Sequence, residues 1–430
     1  MSRPDPYAAI RFPAYRWFVS GRAFFVLAIQ MQTIAVSWQI YQRLKGSPHA
    51  AALGLGYVGL VQILPVLLFS IPAGQLVDRF DRRLILMGTQ LLIGICSALL
   101  LFLSVIHAPV TAIYAVLFLV GTSRAFTAPA ANAYYNALVP REVLPNAATW
   151  NSTVFELTSM IGPAIGGLIV AQAGPETSYL VNLACVATSF GLFVLAVPRA
   201  RVVLERSPMT WSSLLDGVRF VIHARLLLAM ACLDLFAVLL GGATALLPIY
   251  AHQILHGGAS TYGILRAAPS VGAVTMALIT MRRKPWRHAG RTILWAVLGF
   301  GVAIIVFGLS KSIWLSVLAL VATGVCDNIN VVIRQTLTQM ITPDEMRGRV
   351  SSVTFIFISS SNEMGEFESG ATAALLGPVG SVVLGGCGTI AVVAGAWWLF
   401  PELRKVGRLT DLKPIEIRRG TDAELLAKET

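Results

Sequence analysis

Ten ionisable side chains sit inside long apolar stretches of this 430-residue chain. The acids are Glu156, Asp234, Asp327, Glu363, Glu366 and Glu368, and the bases are Arg22, Arg124, Arg266 and Arg334. A charge in hydrocarbon costs on the order of 2.5–3.5 kcal/mol even on lenient insertion scales, so such groups face a cavity or a partner. That cost makes them the candidates for chemistry. The densest group is Ser359-Ser-Ser-Asn-Glu-Met-Gly-Glu-Phe-Glu-Ser-Gly370. On a regular helix Glu363 and Glu366 lie about 60° apart and share a face, while Glu368 points nearly opposite Glu366. All three reach one cavity only if the helix breaks, which Gly365 and Gly370 would permit. A carboxyl that exchanges a proton near neutral pH could couple the movement of another molecule to a proton gradient. That role falls first on Glu366, with Glu363. The alternative is a structural ion pair with Arg266 or Arg334.

Arg124 is expected near the cytoplasmic end of its apolar stretch, where it could bind an anion or pair with Glu156. Asp234 and Asp327 face the same choice, and the sequence names no partner for either. Gln30, Gln32, Trp38, Gln39, Asn182 and Asn328 are polar or aromatic positions that either line a cavity or hydrogen-bond a neighbouring helix.

These groups need a scaffold, and composition says which kind. The chain is 56% hydrophobic and 13% charged, with a mean hydropathy of +0.72. Soluble chains carry about 25% charged residues. Apolar runs of about 20 residues, each long enough for a hydrocarbon core of about 30 Å, recur almost throughout. Twelve spans are expected, at 17–41, 51–76, 84–106, 109–130, 147–172, 177–197, 226–251, 260–281, 291–309, 313–335, 351–376 and 380–400. A polar arm (1–16), a linker (198–225) and a tail (401–430) flank two six-span bundles, 17–197 and 226–400. The fold class is thus an all-α membrane protein.

The net charge of +12 follows from orientation and calls for no nucleic-acid partner. With the N-terminus cytoplasmic, 25 Lys and Arg fall on inside segments and three (Arg43, Lys45, Lys311) on outside loops. The positive-inside rule then puts both termini in the cytoplasm. The five cysteines all lie within apolar runs without paired spacing, so no disulfide, metal site or cofactor is expected. No removable signal peptide is evident, because the first apolar run is long enough to span.

The halves match when slid by about 203 residues. Leu138-Val-Pro-Arg-Glu142 falls over Ile341-Thr-Pro-Asp-Glu345 and Gly162 over Gly365, while Gly59 and Pro65 fall over Gly263 and Pro269 at an offset of 204. Parallel repeats of this kind run about an axis along the membrane normal.

Between the second and third spans lies Gly74-Gln-Leu-Val-Asp-Arg-Phe-Asp-Arg-Arg83. This loop resembles the signature of the major facilitator superfamily, with Gly74, Asp78, Arg79, Arg82 and Arg83 matching and Asp81 replacing the usual second glycine. Arg124–Ala130, Leu138–Glu142, Gly162–Gly167, Gly365-Glu366 and Ala371–Gly377 resemble the branch of enterobactin exporters and macrolide efflux proteins. The resemblance implies a monomeric secondary transporter in a plasma or bacterial inner membrane. It would export a small siderophore-like or drug-like molecule in exchange for protons by alternating access. It also implies that Asp78, Arg79 and Arg83 clamp the halves while the carrier faces outward. A glycine at position 81 would reach a positive φ more cheaply than Asp81, so the turn there is open. Two other readings keep the residues: a receptor that holds the fold without flux, and a membrane-embedded enzyme using Glu363, Glu366 and Glu368. No HExxH pair, Gly-x-Ser-x-Gly elbow or Walker lysine supports the enzyme.

Overall fold

The computed structural model describes residues 5, 7–196, 211–282, 286–343 and 346–407. The first half comprises α1 (Pro13–Leu44), α2 (Pro48–Arg79), α3 (Arg82–Val105), α4 (Val110–Tyr135) and α5 (Leu144–Leu195). The second comprises α6 (Trp211–His223), α7 (Arg225–Leu240), α8 (Leu247–Ile249), α9 (Ala259–Arg282), α10 (Ala289–Leu309), α11 (Ile313–Ile341), α12 (Arg347–Leu399) and α13 (Pro401–Lys405). No strand occurs among the described residues.

Ten helical segments are long and apolar enough to cross a membrane. Two are far longer than one crossing needs: α5 has 52 residues and α12 has 53. Each is broken once by a glycine with positive φ, Gly174 (φ 81, ψ 168) in α5 and Gly377 (φ 77, ψ 163) in α12. Only glycine takes that conformation cheaply, and the proline that follows each cannot continue the helical hydrogen-bond ladder. The fifth and sixth expected spans, and the eleventh and twelfth, therefore join at sharp glycine bends rather than through loops. Reading each bent helix as two crossings gives the expected twelve.

Two elements are more elaborate than the sequence shows. The seventh span is present over Arg225–Ile254, but its helix is interrupted: α7 stops at Gly241, and the chain proceeds through a 3-10 turn (Ala243–Leu246), α8 and a π turn (Tyr250–Ile254). At the break the backbone packs closely, since a Cβ on Gly242 would meet the Gly365 carbonyl carbon at 2.7 Å. The linker is also more than a polar connection. Its second part is the helix α6, fixed to the start of α12 by an Asp216–Arg349 ion pair of 3.2 Å and by Gly217 packed on the Arg349 backbone. Residue 197, residues 198–210 of the linker and 408–430 of the tail lie outside the described residues.

The duplication is visible in packing. Gly121 of α4 packs on Pro65 of α2, and Gly324 of α11 packs on Pro269 of α9; the partners in these contacts are 203 and 204 residues apart. The bends at Gly174 and Gly377 repeat at 203 as well. The halves meet along two seams, α2 against α12 and α5 against α9. At the first, Gly56 and Gly370 face each other so closely that a Cβ on Gly370 would lie 2.6 Å from the Gly56 Cα. At the second, a Cβ on Gly263 would lie 2.9 Å from the Gly167 Cα. Small residues let helix backbones approach where lipid provides no hydrophobic drive. The outside is apolar, with Trp314 and Trp398 exposed near helix ends as interfacial anchors.

Candidate substrate and gating site

The tight α2–α12 seam decides where the acidic side chains of α12 go. Gly59 lies directly against the Glu363 carbonyl, and Gly365 lies against the ends of α7 at Val238 and Leu239. With both flanks occupied by backbone, the two carboxylates leave sideways, one to each half. Glu363 crosses to the first half, where Arg124 of α4 donates from Nη1 to its Oε1 at 2.7 Å. The same Nη1 reaches Gln62 Oε1 on α2 at 3.1 Å. Glu366 stays within the second half, taking Arg266 of α9 at 3.4 Å and the Thr244 hydroxyl at 3.3 Å. Thr244 is in place because α7 breaks just before it.

Among the described residues Arg124–Glu363 is the one ion pair that joins the halves. Arg124 stands at the centre of α4, fourteen residues from Val110 and eleven from Tyr135, rather than near one end of it. It pairs with Glu363 and not with Glu156. Its side chain is still 42% exposed, so it faces an open space between the halves. The third acid behaves differently. The α12 helix runs unbroken through Gly365 and Gly370, both of which serve close packing, and the break comes later at Gly377. Glu368 therefore does not join the other two and accepts from Thr372 Oγ1 at 2.7 Å on its own helix.

Asp234 has the partner that the sequence did not name. Arg334 Nη1 lies 3.3 Å from its carboxylate, and Asn330 donates to it at 2.8 Å. Both side chains are only 7% exposed, and the pair lines a small pocket within the second half together with Met230, Thr338 and Val353. Asp327 and Glu156 are half-buried and take part in no ion pair among the described residues. Asp327 lies within electrostatic range of Asp234, Arg334 and Glu156.

The charged loop proves to be two residues long, Phe80 and Asp81, between α2 and α3. Asp81 has φ −62 and ψ 115 and caps α3, accepting from the Arg83 backbone N–H at 2.9 Å. Its backbone is extended, so no glycine is required. Arg83 donates from Nη2 to the Val194 carbonyl at 2.6 Å, closing the C-terminal end of the sixth crossing within its own half. Gly74 and Arg79 lie in the last turns of α2, and Arg82 opens α3. The Asp78 side chain lies outside the described residues.

On the face opposite this loop the halves are shut. Tyr41 of α1 meets His252 Nδ1 at 2.9 Å, and Trp38 stacks on Tyr262 with centroids 6.2 Å apart. His49 reaches the Ala374 carbonyl at 3.0 Å. Among the described residues no extensive packing joins α4 or α5 to α10 or α11 toward the loop face. The space between the halves therefore opens on the loop face and ends at the charges of α12. Of the polar positions read from sequence, Gln39 and Asn182 are tied inside the first half, Gln39 to Ser104 and Tyr179, and Asn182 to Ser97 and Ala28. Gln62, Thr244, Tyr41, Tyr262 and the two histidines were not singled out by sequence. Their signal is weak, since an isolated polar residue in a span reads the same whether it faces a neighbour or a cavity.

Two pseudo-symmetric helical halves, closed on one face and bearing a charged mid-bundle site, define a membrane carrier of the major facilitator type. The chain belongs to the major facilitator family described as transmembrane secretion effectors, whose profile matches residues 5–416. It is 27% identical over 395 residues to the enterobactin exporter EntS of Citrobacter koseri, covering 91% of this chain and 93% of that one. The enterobactin exporter EntS of Escherichia coli O157:H7 is 26% identical over the same coverage. Solved structures share the fold at low identity. A POT family transporter in complex with 5-aminolevulinic acid superposes with a TM-score of 0.71 at 13% identity, covering 92% of this chain and 97% of its own. A bacterial homologue of the iron transporter ferroportin in an inward-facing state gives 0.66 at 14%, covering 89% and 98%.

Proposed function

We propose that this carrier exports a small siderophore-like molecule from the cytoplasm in exchange for protons, with both termini cytoplasmic and the loop face inward. The observation that carries the reading is the Arg124–Glu363 pair. It joins the halves at mid-bundle while Arg124 remains open to the cavity. A substrate that engages Arg124, or a proton that neutralises Glu363, loosens the link between the halves. Glu366, held by Arg266 and Thr244, is the adjoining carboxylate through which a proton would be exchanged. Export and the siderophore-like class rest on the relatives' names and on coverage of nearly the whole chain. The cytoplasmic orientation rests on the distribution of lysine and arginine. We read the chain as a carrier rather than an enzyme on its membership of the transmembrane secretion effector family and its exporter relatives.

The test compares culture media from cells expressing the wild type, E366Q and E363Q with medium from a deletion strain, by untargeted mass spectrometry at external pH 6 and 8. A compound present only with the wild type, and more abundant in acid, is the expected result. Wild-type export with unchanged pH dependence in both variants would end the coupling role.

A further inference from the structure

The seal on the face opposite the charged loop is made in part by two histidines. His252, in the π turn, meets the Tyr41 hydroxyl of α1 at 2.9 Å through Nδ1. His49, in the first turn of α2, meets the Ala374 carbonyl of α12 at 3.0 Å, also through Nδ1. One contact lies across α1 and the broken seventh span, the other across the α2–α12 seam. Both imidazoles are exposed although both join the halves.

We propose that His49 and His252 make the seal proton-sensitive, so that protons on that face favour closure and reset the emptied carrier. The argument rests on donor and acceptor chemistry. A carbonyl only accepts, so His49 Nδ1 carries a proton in this contact, and the imidazolium supplies that proton in every state. A hydroxyl both donates and accepts, so the Tyr41 contact survives protonation of His252 with the hydrogen reversed. Charged donors form hydrogen bonds roughly twice as strong as neutral ones. Neither contact exists once the halves part on this face. Protonation therefore favours the shut state.

Around His252 stand Tyr41, Trp38 and, one contact further, Tyr262. Of the other charged groups of this face, Lys45 lies four residues before His49 and His256 four after His252, while others are engaged. Arg43 donates to the Ala108 and Leu103 carbonyls, and Glu176 accepts from Ser104 at 2.6 Å. Lys45 lies at the end of α1 and Lys311 between α10 and α11, with His107 and His256 in the adjacent turns. Glu368, on the helix that carries Ala374, is held by Thr372. The direction of the reset rests on the orientation proposed above. The closure itself does not.

The experiment measures distance across this face by electron–electron resonance, with spin labels at K45C and K311C in the full chain with its five cysteines replaced. It is run in nanodiscs between pH 8 and pH 5.5, so it needs neither substrate nor orientation. The short-distance population should grow on acidification, by about 5-fold in the closed-to-open ratio for each histidine, the gap between a neutral and a charge-assisted bond. H49N and H252N keep a neutral group near Nδ1 and should each remove part of that growth, the pair removing nearly all. An acid response undiminished in H49N/H252N, or no response in the parent, overturns the proposal. E363Q/E366Q, run alongside, separates it from the coupling site. That variant should keep the acid closure while losing the pH dependence of export, and loss of the closure itself would assign it to the carboxylates.

Discussion

Arg124 in α4 and Asp327 in α11 occupy the same place in the two halves, 203 residues apart, yet they do opposite things. Arg124 reaches across its seam to Glu363. Across the other seam, 203 residues before Glu363, stands Met160, with the acid Glu156 one turn away on the same helix. Opposite charges tie the first seam, whereas Asp327 and Glu156 take part in no ion pair among the described residues. Both seams keep a close glycine contact, Gly56 with Gly370 and Gly167 with Gly263, although the repeat places Gly263 over Gly59 rather than Gly56. Duplication thus preserved what brings the halves together and changed what holds them. A carrier needs that asymmetry. A bundle locked by equal ion pairs on both sides would have to break both at once, while one tied on a single side hinges on the other.

The largest effects should come from breaking what the seams share. Gly370→Leu or Gly263→Leu places a side chain where the opposing backbone lies within 3 Å of a Cβ, so the halves can no longer close on that face. Export should fall below detection and spin-label distances across the face should lengthen, equally for the two seams. Next comes what distinguishes them. Removing one partner of a buried pair typically costs 3–5 kcal/mol, and the exposure of Arg124 lowers this, so R124Q should cost about 1–2 kcal/mol in thermal unfolding. D327N removes no ion pair and should change stability by less than about 0.5 kcal/mol.

A rebuilt symmetry sharpens the same contrast. M160E with D327R should create the missing tie, raising the unfolding midpoint by a few degrees and slowing export. An unchanged midpoint with slowed export would show that the two positions do not meet. The smallest effect belongs to the loop. D81A removes the cap of α3 and should cost about 1 kcal/mol, while D81G should cost only a few tenths. If D81G instead stabilised α3 markedly, the extended backbone at position 81 would be the wrong conformation.

Much of this was legible beforehand, for reasons that differ by element. The spans followed from length and hydropathy, which a hydrocarbon core imposes directly. The duplicated unit followed from proline and glycine, whose backbone demands persist after side chains diverge. The break in the seventh span was not legible, because Gly241 and Gly242 read as small residues until Gly365 is packed against them. The acids of α12 were found, but their fates were not. Glu363 and Glu366 are three residues apart and serve different halves, which only the α2 backbone at Gly59 decides. Glu368 looked equivalent until the helix proved straight through Gly365 and Gly370. Arg334 and Asp234, 100 residues apart, show the general limit, since periodicity gives a face but not the partner across it.

The measurement that bears most directly on the tie between the halves is a charge swap read by export. Media from a deletion strain and from strains expressing the wild type, R124E, E363R and R124E/E363R would be compared by mass spectrometry. The compound exported by the wild type should vanish in both single variants, where like charges face each other across the seam, and return in substantial part in the double variant. Export at the wild-type level in either single variant, or none in the double variant of a protein that folds and reaches the membrane, would contradict the tie.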